Sequence, residues 1–326
     1  MRIAINGMGR IGRLLFRRLV GDERFTLVAI NDIMDPGNLA YLLRYDSLYG
    51  TYSNPVVYRN GVISTKGKDV IALQHADPSQ INWKEHDIDF VLECSGKFAD
   101  REGATKHLTA GAKKVLLSTT GSDDIPLMIY GFNHHQLNGE TKIISPGGCM
   151  TNCAAHILYI LNSIGIASVQ INILHSYTSR QELVDSEHRD YRRGRAAAES
   201  IIPVEIDLAH SLERLLPLKG KIAAVSVRVP VTNGALADFT VQLKETVTSE
   251  WVNTLFRKAA GNEYKGILDY TTDPLVSADI KGNTHSAIID GTLTSVVANQ
   301  LKLIAWFDKE YGYTSRMIDW LQHWSR

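Results

Sequence analysis

Short apolar runs alternate with amphipathic stretches through the first half of the chain. The runs with the character of strands are RIAIN, FTLVAIND, DFVLECSG, KVLLSTTG, LMIYGFN and KIISPGG. The stretches between them that read as helices are RIGRLLFRRLV and REGATKHLTAGA. This alternation predicts an α/β fold with a mostly parallel sheet and right-handed crossovers, in which ligands bind at the carboxyl ends of the strands.

The second half of the chain opens with a predicted helix that carries a cysteine at its start. The stretch MTNCAAHILYILNSIG has the apolar spacing and the final glycine of a helix, which places Cys149 at or near the first turn. VQINILHSYTS then predicts a strand with His175 near its end. A chain of 326 residues has room for two domains. Because no repeat, low-complexity tract or Pro/Ser-rich linker separates the halves, we expect the boundary to lie within compact sequence.

Composition narrows the classes of partner and compartment. Hydrophobic residues make up 44% of the chain, and Lys plus Arg and Asp plus Glu both number 35, so net charge does not favour a nucleic acid or a membrane surface as a partner. The charged first residues argue against a signal peptide, and no stretch approaches the roughly 18 apolar residues of a membrane span. The 3 cysteines, an odd number, argue against a disulfide scaffold and favour reduced thiols in the cytoplasm.

A glycine-rich motif follows the first predicted strand. Gly7, Gly9 and Gly12 have the GxGxxG spacing, and Arg10 and Ile11 lie between the last two glycines. In this motif the first glycine permits a tight turn, the second lets a pyrophosphate approach the backbone, and the third lets the helix pack closely on the strand. The amides at the helix start then face the phosphates. We therefore expect a dinucleotide site here.

Polar residues at the ends of the neighbouring strands extend this prediction. Asp32 ends the second strand, twenty residues beyond Gly12, where a carboxylate accepts hydrogen bonds from ribose hydroxyls and repels a 2′-phosphate. NAD is therefore favoured over NADP. Ser95, Ser118 and Thr119 fall at the carboxyl ends of later strands. The alternative interpretation is an ordinary βαβ unit with Asp32 in a turn.

Cys149 is open to three interpretations: a nucleophile, half of a metal site, or a core thiol. Unpaired amides at a helix start stabilise a thiolate, and His175 is a candidate base. Cys153 lies one helical turn further on and is expected to be a packed thiol. A zinc site would need more soft ligands, and His156 has no companion pair at finger spacing, so no metal is expected.

Seven ordered motifs resemble one family from end to end. They are AINGMGRIGR, GAKKVLLS, CMTNC, HSYTS, RRGRAAAESIIP, VRVP and DKEYGY, and together they resemble the glyceraldehyde-3-phosphate dehydrogenases of glycolysis. The resemblance extends to the related erythrose-4-phosphate dehydrogenases, to which HSAIIDGT and TTGSDD are somewhat more similar.

The resemblance implies a domain plan and an assembly. It implies a Rossmann-type NAD-binding domain over 1–148 and 311–326, and an α+β catalytic domain over 149–310. It further implies a cytoplasmic homotetramer, in which the loop TSRQELVDSEHRDYRRGRAAAES crosses to a neighbouring subunit.

The resemblance also implies a role for each site residue. Cys149 would attack the aldehyde, and His175 would act as general base. Thr178 and Arg228 match positions that hold the phosphate of the substrate, and Thr151 is a further candidate for substrate binding. The forked guanidinium of Arg228 suits two phosphate oxygens. The alternatives are that Thr178 is only a strand residue and that Arg228 forms a surface ion pair.

The chain departs from the family pattern around the cysteine. Gly148 and Met150 replace a serine and a threonine, and Ile206 and Asp207 replace a threonine and a glycine, all in the site for attacking inorganic phosphate. Losing hydroxyl donors and gaining a carboxylate weakens an anion site. Lys309 replaces an asparagine that orients the cofactor's carboxamide, and a lysine cannot supply an amide's paired donor and acceptor. It remains a cofactor-site candidate that could instead pair with Asp207 or bind a substrate anion.

Two classes of function follow. The first is NAD-dependent oxidation of a phosphorylated aldehyde, with glyceraldehyde 3-phosphate as the simplest substrate. Erythrose 4-phosphate or another sugar-phosphate aldehyde, with weak dependence on inorganic phosphate, is the alternative within that class. The second class is an NAD-binding regulatory protein with little turnover.

Overall fold

The apolar runs of the first half pair into one twisted sheet. The computed structural model describes residues 1–325, which divide into a unit of Met1–Gly148 with the chain from Arg316 onward and a unit of Cys149–Ser315. The strands of the first unit are β1 Arg2–Asn6, β2 Thr26–Asn31, β3 Val57–Arg59, β4 Val62–Thr65, β5 Lys68–Leu73, β6 Phe90–Glu93, β7 Lys114–Leu117 and β8 Ile143–Ile144. Their order is β3-β4-β5-β2-β1-β6-β7-β8, parallel from β5 to β8 and antiparallel in β3-β4-β5.

The helices of the first unit follow the strands that the sequence predicted. They are α1 Arg10–Leu19, α2 Pro36–Arg44 and α3 Arg101–Thr109, with short 3-10 turns at Pro78–Gln80 and His134–Gln136. Asp35 and Asp100 accept hydrogen bonds from backbone amides at the starts of α2 and α3, as N-cap residues do. The predicted alternation of strand and helix, and the mostly parallel sheet, are confirmed.

One predicted strand is wrong. In LMIYGFN only Leu127 makes a strand-like bridge, to Ser145. Asn133 folds the rest into a turn: its Oδ1 accepts from Ile129 N at 2.6 Å, and its Nδ2 donates to Leu127 O at 3.0 Å. An asparagine side chain that satisfies nearby backbone groups in this way competes with sheet pairing.

The second unit is built on a mixed sheet. Its strands are β9 Ile166–Ser176, β10 Ile202–Val204, β11 Ile222–Val229, β12 Ala235–Leu243, β13 Leu268–Thr271, β14 Ala287–Asp290, β15 Ser295–Val297 and β16 Gln300–Phe307. The order is β10-β11-β9-β12-β16-β14-β13, with β15 paired to β16. β11 and β9 are parallel, whereas β12 is antiparallel to both β9 and β16.

The helices of this unit are α4 Cys149–Asn162, α5 Leu208–Glu213 and α6 Ser249–Gly261, with a 3-10 turn at Ser277–Ile280. α7 Tyr311–Trp324 begins in this unit and ends in the first. α4 packs against β9, β12 and β14 and is buried on most of its surface. The boundary between the units falls within α7. Among residues 1–325, no helix is long and apolar enough to cross a membrane.

Candidate active site

The glycine-rich loop forms an open cradle at the start of α1. Gly7 has φ +93°, and a Cβ added there would lie 2.3 Å from Ser95 N. A Cβ on Gly12 would lie 2.0 Å from Gly7 O, so both positions exclude a side chain. At Gly9 an added Cβ meets none of the described residues within 4 Å. Gly9 is therefore where a ligand can approach the backbone.

The start of α1 suits an anionic ligand. No side chain within the described chain caps this helix, and its first turn carries no acid. Arg10 directs its guanidinium to Asp46 at 2.6 Å, and Ile11 is half-buried. The backbone at the helix start can thus face a phosphate.

Asp32 lies directly beyond β2 and beside this loop. Its Oδ2 accepts from Met8 N, and its Oδ1 accepts from Met34 N at 2.9 Å. The carboxylate is half-exposed. These residues fit a dinucleotide, because a tight glycine turn, an uncapped helix start and a fixed carboxylate occur together.

Ser95, after β6, is anchored by the side chain of an acid that the sequence analysis missed, and Ser118, after β7, bonds to the backbone of the same residue. Glu93 Oε1 accepts from Ser95 N at 2.8 Å and from Ser95 Oγ, and Glu93 O accepts from Ser118 N at 2.9 Å. Glu93 Oε2 accepts from Asn6 Nδ2 at 2.5 Å and from His107 Nε2 at 2.8 Å. The signal for this network was an acid inside the apolar run DFVLECSG.

The tautomer of His107 follows from its second partner. Trp83 Nε1 donates to His107 Nδ1 at 3.1 Å, so His107 Nε2 carries the proton that is donated to Glu93. Glu93 and His107 are both almost completely buried. This hydrogen-bond network therefore holds the end of β6 in one position.

The structure brings Cys149 and His175 together. Cys149 is the first residue of α4, and its Sγ lies 3.9 Å from His175 Nε2. His175 is the second-last residue of β9, and its Nδ1 donates to Ser176 O at 2.6 Å. Because Nδ1 is the donor, the lone pair of Nε2 faces the thiol.

Burial shifts the pKa values of both groups. Burial lowers the pKa of His175 well below its usual value, and the positive charges of Arg228 and Lys309 lower it further. Burial also raises the pKa of Cys149, while Arg228, Lys309 and the backbone amides at the helix start oppose that rise. The sequence predicted a thiolate favoured by the helix start; that influence is present, but desolvation outweighs it.

The other two thiols have less reactive surroundings. All three cysteines are free within the described chain. Cys153 is fully buried, and burial raises its pKa and that of Cys94 strongly. Of the three, only Cys149 has an imidazole nitrogen placed to take its proton.

Arg228 is a buried cation, and two of its hydrogen-bond donor atoms are unused within the described chain. It lies on β11 directly opposite His175 on β9, and its Nε and Nη1 have no hydrogen-bond partner among residues 1–325. Burial lowers the pKa of Arg228 to about 10, and the nearby charges of Arg193 and Arg180 also lower it. A buried guanidinium with unused donors indicates an anion site.

The two candidate threonines lie in the same unit. Thr178 follows β9, and its N and Oγ1 both donate to Gln181 Oε1 at 2.9 Å. Gln181 Nε2 is buried without a partner among the described residues. Thr151 is buried in the first turn of α4. Both threonines therefore lie close in sequence to the thiol or to the strand end that carries His175.

The positions that depart from the family pattern have distinct surroundings. A Cβ added to Gly148 meets none of the described residues within 4 Å, and Met150 and Ile206 are half-buried. Asp207 is exposed at the N-cap position of α5, and its side chain makes no capping hydrogen bond there within residues 1–325. Lys309 is 8% exposed, and its Nζ donates to Tyr177 O at 2.9 Å.

Comparison with known proteins gives one consistent result. Residues 1–101 match the NAD binding domain of glyceraldehyde 3-phosphate dehydrogenases, and residues 148–309 match their C-terminal domain. Glyceraldehyde-3-phosphate dehydrogenase 2 of Bacillus subtilis (strain 168) is 42% identical over 99% of this chain and 96% of that protein. The glyceraldehyde-3-phosphate dehydrogenase of Borreliella burgdorferi is 43% identical over 99% of both chains. That of Geobacillus stearothermophilus is 39% identical over 98% of this chain and 96% of that protein.

Proposed function

The chain belongs to the glyceraldehyde-3-phosphate dehydrogenase family, and from that premise we propose that it oxidises a phosphorylated aldehyde, most simply glyceraldehyde 3-phosphate, through a thioester on Cys149. The observation that carries the proposal is the distance of 3.9 Å between Cys149 Sγ and an unprotonated His175 Nε2. Buried Arg228, with two unused donors, supports a phosphorylated substrate.

NAD, when bound, supplies the acceptor for a hydride. Gly7, Gly9 and Gly12, with Arg10 and Ile11 between the last two, would form the cradle for its pyrophosphate. The polar groups beyond the strand ends, Asp32, Ser95 and Ser118, would hold the rest of the cofactor. Asp32 favours a cofactor without a 2′-phosphate.

The chemistry on Cys149 needs a base that is neutral near pH 7. His175 Nε2 takes the proton of the thiol, and Sγ forms a bond to the aldehyde carbon while the carbonyl electron pair moves to oxygen. The imidazolium returns this proton to the oxygen, which gives a hemithioacetal and leaves Nε2 unprotonated again. Nε2 can then take the hydroxyl proton while the same carbon gives up its hydride to the acceptor that NAD would supply, which leaves a thioester on Sγ.

The phosphate of the substrate is held away from the reacting carbon. Arg228 offers Nε and Nη1, which suit two phosphate oxygens. Thr151 adds a hydroxyl, and the hydroxyl of Thr178 joins them when it turns from Gln181 Oε1 to the phosphate. Such an arrangement fixes the aldehyde over the thiol by binding a remote group.

A second candidate has the same first half-reaction but a different acyl acceptor. Gly148 and Met150 supply no hydroxyl, and Asp207 presents an exposed carboxylate without a capping role in the described chain. Water then cleaves the thioester, with erythrose 4-phosphate or another sugar-phosphate aldehyde as the alternative substrate. The regulatory alternative is weaker, because the thiol, the imidazole and the buried guanidinium are all retained together.

The roles of the two regions and the assembly are part of the proposal. We assign NAD binding to 1–148 and 311–326, and substrate chemistry to 149–310. Exposed apolar residues in and after the loop that follows β9, namely Leu183, Val184, Tyr191 and Ile201, support a subunit contact and a homotetramer. We place this enzyme in the cytoplasm, with a small-molecule substrate and without a nucleic acid or membrane partner.

NADH formation with a panel of phosphorylated aldehydes tests the function. We expect turnover with at least one of them in the parent, none in Cys149→Ser, and most of the parent rate in Cys153→Ser. No NADH with any aldehyde would favour the regulatory alternative. Activity that survives Cys149→Ser would show that another group is the nucleophile.

A further inference from the structure

Lys309 is a buried cation near the strand end that carries His175, and it takes no part in the reaction proposed above. Its side chain is 8% exposed, its Nζ donates to Tyr177 O at 2.9 Å, and Glu310 Oε1 lies 3.9 Å away. Tyr177 is only two residues beyond His175. A buried ammonium costs free energy unless its charge is used or compensated.

The sheet explains how Lys309 reaches this place. β12 pairs with β9 on one side and β16 on the other, and Ala235 lies opposite both His175 and Phe307. The rings of His175 and Phe307 have centroids 6.5 Å apart. Lys309 follows two residues later, and its side chain returns to the carbonyl at the end of β9.

A second cation arrives from the opposite side of β9. β11 pairs with β9 on the edge away from β12, and it brings Arg228 directly opposite His175. The imidazole therefore has a guanidinium on the neighbouring strand β11 and an ammonium held at the backbone two residues further along its own chain. Burial is the largest influence on both reacting groups; the two charges oppose the rise that it causes in the pKa of Cys149 and add to the fall that it causes in the pKa of His175.

Other charged or titratable groups lie near the thiol and the two cations. Cys149 has His175 and Cys153 as titratable neighbours. Arg228 has the cations Arg180 and Arg193 near it, and Lys309 has the carboxylate of Glu310. Within this set the anionic thiolate gains from both buried cations, whereas an imidazolium is disfavoured by both.

We propose that Lys309 is a positioning residue that acts through its charge: together with Arg228 it stabilises the Cys149 thiolate and adds to the burial that keeps His175 neutral. The proposal rests on Cys149 being the nucleophile, as inferred above. A neutral amide at position 309 would provide no such charge. A lysine at position 309 therefore adds a positive charge near the reacting thiol, whereas a neutral amide would add none.

The test is the pH dependence of Cys149 alkylation by iodoacetamide, with the modified residue assigned by mass spectrometry. Removing the charge in Lys309→Met should raise the apparent thiol pKa by about one unit and slow alkylation at pH 7 by ~tenfold. Lys309→Gln, which keeps a donor for Tyr177 O, should behave like Lys309→Met. Lys309→Arg, which keeps the charge, should stay close to the parent.

Lys302→Met is the matched control, because Lys302 lies on β16 with a half-exposed side chain paired to Asp238. It should leave the alkylation profile unchanged. A parent-like profile in both Lys309→Met and Lys309→Gln would overturn the proposal, as would an arginine variant as slow as the glutamine variant. This assay needs neither NAD nor aldehyde, so a parent in which Cys149 is not alkylated contradicts the proposed function instead.

Discussion

At the residue scale, burial and charge act in opposite directions on Cys149. Burial raises the pKa of its thiol, and two cations with the amides of the helix start oppose that rise. For His175, burial and the same two cations act in the same direction, because all of them lower the pKa and favour the neutral imidazole. The pair therefore combines a thiol that is reluctant to ionise with a base that is free to accept its proton.

The neutral state of His175 predicts a pH dependence of stability. Its folded pKa lies well below the ordinary 6.5, so below that pH the unfolded chain binds a proton that the folded chain does not. The stabilising contribution is complete above 6.5 and is lost as pH falls toward the folded pKa. The free energy of unfolding should drop by up to about 1.4 kcal/mol per pH unit from this one group.

Urea unfolding at a series of pH values from 7.5 down to 5 measures this effect. His175→Asn should show a shallower loss of stability than the parent over that range, because the other histidines are common to both proteins. Equal slopes in the two proteins would contradict the assignment of a depressed pKa to His175.

Gly148 gives a second prediction at the residue scale. Because an added Cβ there meets none of the described residues within 4 Å, Gly148→Ser should fold normally. In the parent we expect a rapid burst of NADH followed by a slow phase that depends weakly on inorganic phosphate. Gly148→Ser combined with Met150→Thr should make the slow phase faster and more dependent on phosphate, because two hydroxyl donors return.

Stopped-flow absorbance with a phosphate titration distinguishes these cases. Gly148→Ala, which adds a Cβ without a hydroxyl, is the control and should resemble the parent. Tight saturation by phosphate in the parent itself would contradict the weakened acceptor site.

At the scale of the element, the network under β6 sets where the following residues lie. Glu93 accepts hydrogen bonds from Ser95, Asn6 and His107, and its side chain is almost completely buried. A buried acid with this many donors holds the strand end in one geometry. The position of the candidate cofactor residue Ser95 beyond β6 therefore depends on the buried Glu93 side chain.

Glu93→Gln should lower both stability and NAD affinity. The amide cannot accept from every donor that the carboxylate satisfies, so we expect a loss of roughly 2–4 kcal/mol in the free energy of unfolding. Denaturant unfolding measures the first effect, and quenching of tryptophan fluorescence by NAD measures the second. Glu85→Gln, on the exposed turn before β6, is the control, and a Glu93→Gln protein as stable as that control would contradict the role.

The elements with a local signal were predictable from the sequence. β1, α1, β2, β6, α3, β7, α4 and β9 fall on the predicted runs, because apolar period and glycine or N-cap residues act over a few positions. LMIYGFN failed because one asparagine side chain closed a turn. Strand order and register in the second unit depend on pairing between distant segments. No local pattern specifies that Lys309 returns to the end of β9.

The sequence predicted which reacting residues come together in the candidate site, but it did not predict the direction of the shift in the thiol pKa. The approach of His175 to Cys149 could be anticipated from a strand end and a helix start. The sign of the thiol's pKa shift could not, because it depends on how much water the assembled sheet excludes. Glu93 was missed because an acid in an apolar run has no obvious partner until His107 and Asn6 are placed beside it.

At the scale of the whole molecule, exposed apolar side chains on the loop after β9 predict association. Tyr191 is 90% exposed and Val184 74% exposed, which is costly for isolated chains when such residues are contiguous. Tyr191→Asp together with Val184→Asp should lower the mass measured by light scattering from that of the proposed tetramer to that of a smaller species. Trp251→Asp, on the exposed start of α6, is the control and should leave the mass unchanged.

The order of strands in the second unit also sets when burial and the two cations begin to act on the thiol during synthesis. Cys149 leaves the ribosome well before β11 and β16, whose pairing around β9 and β12 brings the two cations to it. Contacts between such distant segments form late, because a long loop must close before they are gained. A nascent chain that has not reached β16 therefore carries a thiol with an ordinary pKa, and burial raises that pKa only as the sheet is completed. Cys149 is thus most accessible to alkylating and oxidising agents before its last strand is in place.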